Sequence, residues 1–133
     1  RIINLYPDDA RDHLYMDLSM NLRAIISQRL IPNAQGNGSV PAVEIMLNSP
    51  MISDLIMGGE IADIREAMEK SSDEGIMTFD QSLFGLYENG FINYEDAMRS
   101  AESVNNLRLK IKLEGEAAKS KKSIGSTFDQ IKF

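Results

Sequence analysis

The apolar positions in the first part of the chain repeat with helical spacing. Between Pro7 and about Leu30 they recur every three to four residues, at Leu14, Leu18, Leu22, Ile25 and Ile26. This period places them on one face of a helix. Pro7 fits the first helical turn, because its missing N–H would have no partner there. The pattern therefore predicts a long amphipathic helix.

The next segment has the features of a β-hairpin. Helical spacing fails at Leu30-Ile31-Pro32, and residues 33–38, Asn-Ala-Gln-Gly-Asn-Gly, are rich in the turn formers Asn and Gly. Within the apolar stretch Val40–Leu47 that follows, Val43 and Ile45 alternate with Glu44 and Met46, as residues do in a half-buried strand. We therefore predict strands near residues 28–32 and 40–47.

Short helices are predicted from residue 49 to residue 113. Their starts and stops are marked by Ser49-Pro50, Gly58-Gly59, Glu60, Lys70, the capping box Thr78 to Gln81, Asn89-Gly90, Asn93 and Ser103. Capping residues, proline and glycine have these positional preferences because they satisfy or avoid the unpaired backbone groups at helix ends. The predicted fold class is α+β, mainly α: a long helix and a hairpin over residues 1–48, a helical bundle over 49–113, and a flexible tail over 114–133.

The amino-acid composition argues against several classes of function. The 133 residues are 43% apolar and 26% charged, with one His, no Cys and a net charge of −6. These values fit one globular domain and argue against zinc fingers, iron–sulfur sites and thiol nucleophiles. The negative charge disfavours binding to nucleic acid, and no apolar run is long enough for a membrane span. The chain starts with Arg1 rather than Met, so we expect it to be part of a longer protein.

No catalytic set can be assembled from these residues. Nothing matches the phosphate-binding pattern GxxxxGK[ST], and the pairs Gly36/Gly38 and Gly58/Gly59 are better explained as a hairpin turn and a helix stop. His13 has three aspartates within about a turn, but acidic residues early in a helix usually complement its dipole. Residues 93–113 could be taken for a DNA-binding helix-turn-helix, although the net charge favours a simple bundle connection. We therefore expect no catalytic, cofactor-binding or metal-binding residue in the chain itself.

The order of several motifs resembles a known family. Leu18 to Pro32, Ala42 to Met46 and Pro50 to Ile56 are similar to the carboxyl-terminal part of secretion-type hexameric ATPases, and most similar to the type IV pilus retraction (twitching motility) ATPases of the PilT/PilU family. Gly75 to Leu83, Gly90 to Ala97 and Asn105 to Arg108 continue the resemblance, which covers about residues 1–113.

The resemblance implies that the hairpin region ends a RecA-like nucleotide-binding core whose phosphate loop lies upstream of Arg1. The intact protein would then use ATP and Mg²⁺ to help retract pili. Its implied partners are further copies in a hexamer, or a related retraction ATPase, and a platform protein of the inner membrane. Its implied location is the cytoplasmic face of the bacterial inner membrane.

One helix carries a candidate functional site. The family's retraction motor has an Ala-Ile-Arg-Asn-Leu-Ile-Arg-Glu helix that retraction requires, and the matching residues here are Ile52, Ser53, Asp54, Leu55, Ile56 and Met57. Both Arg positions are replaced, which favours the accessory PilU branch over PilT. The alternatives are the carboxyl-terminal part of a pilus assembly or type II secretion ATPase, and a non-enzymatic helical adaptor that binds a protein partner.

Overall fold

The computed structural model describes residues 2–71 and 75–115, in which helices surround one hairpin. The helices are α1 (Arg11–Asn21), α2 (Pro50–Met57), α3 (Ile64–Lys70), α4 (Phe79–Glu88), α5 (Tyr94–Ser100) and α6 (104–115), and the strands are β1 (Ala24–Pro32) and β2 (Ser39–Leu47). Short 3₁₀ turns span Ile2–Leu5, Asp8–Ala10 and Ile61–Asp63. The predicted fold class is confirmed. Most of the predicted tail, residues 116–133, lies outside the described residues.

The first helix is much shorter than its apolar spacing predicts. It ends at Asn21, Leu22 is already extended, and Ala24 begins β1, so the prediction of helix up to about Leu30 is wrong. The side-chain amide of Asn48 donates hydrogen bonds to the carbonyls of Ser19 and Leu22, at 3.0 and 2.9 Å. These bonds satisfy carbonyls that the helix end leaves free. Ile25 then favours a strand, because its branched Cβ suits pairing with β2.

The hairpin is antiparallel, and its register pairs Ala24 with Leu47 and Pro32 with Ser39. At the turn, the carbonyl of Asn33 accepts from the N–H of Gly36, while the Asn33 side chain bonds to Asn37. Gly36 has a φ of 74°, which a residue with a side chain rarely adopts. The Asn-Gly-rich loop thus acts as the predicted turn.

Local capping residues act as predicted in the helical part. Ser49 caps α2 and Asn93 caps α5 through backbone N–H groups three residues further on. At the start of α4, the Thr78 hydroxyl accepts from the Gln81 N–H, and the Gln81 side chain accepts from the Thr78 N–H. These interactions involve only neighbours in the sequence, which is why the helix starts were predictable.

Two hydrophobic cores pack against the inner face of the hairpin. The tip core, near the hairpin turn, consists of Ile31, Ala42, Phe79, Leu83, Ile92, Ala97 and Leu107. The base core, near the open end of the hairpin, consists of Met46, Ile52, Ile56, Ala67, Met68 and Ile76. Strand β2 therefore contributes one fully buried side chain, Ala42, to the tip core and another buried one, Met46, to the base core.

Among the helices of the described residues, none combines the length and the apolar character that crossing a membrane requires.

Leu83→Ala tests the tip core. Leu83 is fully buried, so its truncation removes apolar contacts and leaves a cavity. We expect a loss of about 2–5 kcal/mol in the free energy of unfolding, measured by urea titration. Leu109→Ala is the matched control, because Leu109 is 57% exposed and should change stability by about 0.5 kcal/mol or less. Equal losses in the two variants would contradict the assignment of the core.

Candidate functional site

Helix α2 buries the apolar residues of the predicted retraction-linked segment. Ile52 and Ile56 are buried in the base core, and Leu55 packs against its margin. The helix ends at Gly58, and Gly59 has a φ of 70°. This φ favours glycine, and a Cβ at Gly59 would lie 3.1 Å from Cε2 of Tyr15 on α1, so a side chain there would require the Tyr15 ring to shift. Ile52, Leu55 and Ile56 therefore hold α2 against the base core.

The other three residues of the segment, Ser53, Asp54 and Met57, face two directions. The Ser53 hydroxyl donates to the carbonyl of Ser19 on α1 at 2.8 Å, so Ser53 is a contact between helices. Met57 is half-exposed, and its sulfur lies 3.6 Å from the Ser19 hydroxyl. Asp54 is exposed. The predicted side of α2, with Ser53, Asp54 and Met57 together, thus separates into a seam with α1 and an outer surface.

The outer surface of α2 is formed by Asp54 together with Met51, which is 53% exposed. These two residues are three apart, so they lie next to each other on the helix. Met57 borders this surface. A flexible thioether beside a carboxylate suits contact with an apolar partner that also carries a positive charge. The involvement of this surface in retraction remains a prediction.

Strand β1 has an open edge that the sequence did not reveal. The Asn48 N–H donates to the Arg23 carbonyl, and the Asn33 N–H donates to the Gly38 carbonyl, so hydrogen bonds between the strands fall on odd-numbered residues of β1. The backbone groups of Ile26, Gln28 and Leu30 consequently point away from β2. Within the ranges 2–71 and 75–115, no backbone partner covers them.

The other edge of the hairpin is covered. Ile45 and Met77 exchange two backbone hydrogen bonds, at 2.8 and 2.9 Å, and the N–H of Val43 donates to the Ser82 hydroxyl. Natural sheets usually cover or shorten their edges, because a free edge can pair with another chain. The nine residues of β1 instead leave a long edge open.

The outer face of β1 is also apolar. Ile26 is 68% exposed and Leu30 is 66% exposed, and both lie on the side of the sheet opposite the two cores. Exposed aliphatic residues beside a free edge are typical of a surface that another element covers. A solvent-facing edge strand would instead be expected to carry charged residues or proline there.

The candidates for phosphate or metal chemistry in the sequence are two glycine pairs and His13. Gly36 and Gly38 belong to the hairpin turn, and Gly58 and Gly59 are followed by Glu60 rather than by the lysine and hydroxyl of a phosphate loop. His13 is exposed on α1. In the part of the chain that the structure covers, no three metal-ligating side chains come together.

Comparison with known proteins identifies the class. No protein-family model matches the chain. The structure resembles the crystal structure of the pilus retraction motor PilT with bound ADP, with a TM-score of 0.69 and 31% identity over 81% of this chain and 29% of that chain. The ATPase DotB of Yersinia pseudotuberculosis has the same fold over 74% of this chain and 26% of its own, with a TM-score of 0.60 and 23% identity. The fold is thus that of the carboxyl-terminal region of a PilT-like ATPase.

Sequence similarity narrows the class further. The type IV pilus ATPase PilU of Pseudomonas aeruginosa is 45% identical over 117 residues, which are 88% of this chain and 31% of PilU. The pilus retraction ATPase PilT of the same organism is 33% identical over 80% of this chain and 30% of PilT. The chain is a member of the PilT/PilU family and is more similar to PilU than to PilT. It spans less than a third of the length of these relatives.

Ser53→Ala separates the two sides of α2. The substitution removes the hydrogen bond from Ser53 to α1, so we expect a loss of about 1 kcal/mol in the free energy of unfolding. Asp54→Ala should change it by about 0.5 kcal/mol or less, because Asp54 is exposed. Denaturant titration of both variants measures the difference. A larger loss for Asp54→Ala would show that the helix is turned differently.

Proposed function

We propose that this chain is the carboxyl-terminal part of a PilU-like ATPase that helps to power the retraction of type IV pili. The observation that carries the proposal is the 45% identity to PilU over 88% of the chain. The similarity to the solved PilT structure also supports it. Because the described residues lack a phosphate loop, the groups that bind ATP and Mg²⁺ would belong to the rest of the protein.

In this proposal, the hairpin ends the nucleotide-binding core. The free groups at Ile26, Gln28 and Leu30 would pair with a strand of that core, and the apolar outer face of β1 would be covered at the same time. The division at residue 48 follows from this assignment, with residues 1–48 ending the core and residues 49–113 forming the helical subdomain.

The helical subdomain would transmit motion and make contacts between subunits. The assembly would be a hexamer of this protein or a mixed assembly with a related retraction ATPase. It would act on a platform protein at the cytoplasmic face of the inner membrane. The outer surface of α2, with Met51 and Asp54, is the candidate contact for this work.

The proposal is tested by comparing the chain alone with the full product of its gene. The chain alone should neither hydrolyse nor bind Mg·ATP, since it holds no phosphate-binding loop. The full product should hydrolyse ATP, and deleting its gene should impair pilus retraction. A full product without ATPase activity would overturn the proposal and favour a helical adaptor. Loss of pilus assembly rather than retraction would favour an assembly motor.

Gln28→Pro tests the open edge. Proline removes an N–H that points away from β2, so the chain alone should keep its melting temperature within a few degrees. Ser27→Pro is the matched control, because it removes a ladder bond to β2 and should destabilise the chain alone. In the full product, both variants should lower the melting temperature. If Gln28→Pro were harmless there, no strand would pair with β1.

Asp54→Arg tests the outer surface of α2. Reversing an exposed charge should leave folding unchanged by circular dichroism but impair twitching, because a reversed charge at a contact typically costs several kcal/mol. Glu66→Arg is a control at another exposed position, on α3. Normal twitching by the folded Asp54→Arg variant would show that α2 acts only as a scaffold.

A further inference from the structure

A polar belt separates the two hydrophobic cores. On the inner face of β2, Glu44 lies between Ala42 of the tip core and Met46 of the base core. Ser27 and Arg29 lie opposite on β1, paired with Glu44 and Ala42. A groove of about 660 Å³ runs along this belt. The two cores are therefore separate apolar units that meet at polar side chains.

Glu102 lies at the centre of this belt, in the link between α5 and α6. Its carboxylate accepts from Arg29 of β1 at 3.0 Å, and its other oxygen accepts from Arg65 of α3. The Glu102 side chain is 23% exposed, whereas the two arginine side chains are 52% and 49% exposed. One carboxylate thus joins the hairpin and α3 to the helices of the tip core.

The position of Glu102 is set from the side of the tip core. The Asp80 carboxylate at the start of α4 accepts from the N–H groups of Glu102 and Ser103, both at 2.8 Å. The Arg29 guanidinium lies 4.2 Å from the centre of the Phe79 ring, which orients it towards Glu102. The Phe79 N–H in turn donates to Glu44.

The two ion pairs of Glu102, with Arg29 and with Arg65, join residues that are far apart in the sequence. The other ion pairs among residues 2–71 and 75–115 are local, because each joins residues three or four apart. They are Asp8 with Arg11, Glu66 with Lys70 and Asp96 with Arg99. Arg65 belongs to the helix that supplies Ala67 and Met68 to the base core. Its bond to Glu102 spans the belt. Isolated exposed pairs contribute little, but here Glu102 is already held in place, so less side-chain entropy is lost.

We propose that Glu102 and Arg65 form an electrostatic latch that holds the tip core and the base core together across the polar belt. Opening this latch lets water enter the groove without unfolding either core. The latch weakens at high ionic strength, since half of the Arg65 side chain is exposed to solvent. In the intact motor, the latch would couple movement of β1 to the helical subdomain. This last statement alone rests on the proposed function.

A thiol probe detects the opening. The chain contains no cysteine, so Met68→Cys introduces a single thiol at a buried position that lines the groove. Its rate of reaction with an aromatic disulfide reports how often the groove opens. Ile76→Cys, at a second buried position of the base core, replaces it if Met68→Cys does not fold.

Arg65→Gln in this background should raise the reaction rate about tenfold, the effect of losing one hydrogen bond to a charged group. Glu102→Gln weakens the bonds to both Arg65 and Arg29 and should raise the rate at least as much. The matched control is Glu66→Gln, which removes a charge from the same helix. Lys70 lowers the pKa of Glu66 by a hydrogen bond and by its charge, but the Glu66 side chain is 70% exposed and its ion pair with Lys70 lies within α3. This control should leave the rate unchanged.

Salt provides the second test of the latch. At about 1 M salt, where the Debye length is about 3 Å, the rate should rise in the parent thiol chain and much less in Arg65→Gln. Equal rates for Arg65→Gln and Glu66→Gln, or equal salt responses of parent and variant, would overturn the proposal. The experiment uses the chain alone and does not involve ATP, so its outcome is independent of whether the full product is an ATPase.

Discussion

The antiparallel register between β1 and β2 is the constraint on which the rest of the structure depends. It places Ala42 opposite Arg29 and Met46 opposite Ile25 on the inner face, where Ala42 and Met46 each join a different core. It also determines that backbone groups of even-numbered residues in β1 point to a free edge. A shift of one residue would turn every side chain to the opposite face and destroy both cores. The helices are arranged around this two-stranded sheet rather than packed only on each other.

Features that depend on near neighbours could be predicted from the sequence. The capping box at Thr78, the caps at Ser49 and Asn93 and the turn at Gly36 involve residues at most four apart. The end of α1 could not be predicted, because it depends on Asn48, which lies on the far side of the hairpin. Leu22, Ile25 and Ile26 have helical spacing, but pairing with β2 and the bonds from Asn48 outweigh that local pattern.

The candidate surfaces show the same division. Which residues of α2 are buried could be predicted from spacing, and Ile52 and Ile56 are buried as expected. The hydrogen bond from Ser53 to α1 could not be predicted, because helical spacing does not indicate which neighbour a polar residue contacts. The network around Glu102 was missed for a related reason: its members come from β1, α3, α4 and the link before α6. No local sequence motif predicts a network whose members come from four different parts of the chain.

Strand β1 has an open edge, because the backbone groups of Ile26, Gln28 and Leu30 point away from β2. Amide hydrogen exchange of the chain alone, resolved by residue with NMR, tests this most directly. We expect slow exchange at Ile25, Ser27, Arg29 and Ile31, whose N–H groups point to β2, and fast exchange at Ile26, Gln28 and Leu30. Equal protection of the odd and even amides would contradict it, because the edge would then already be paired.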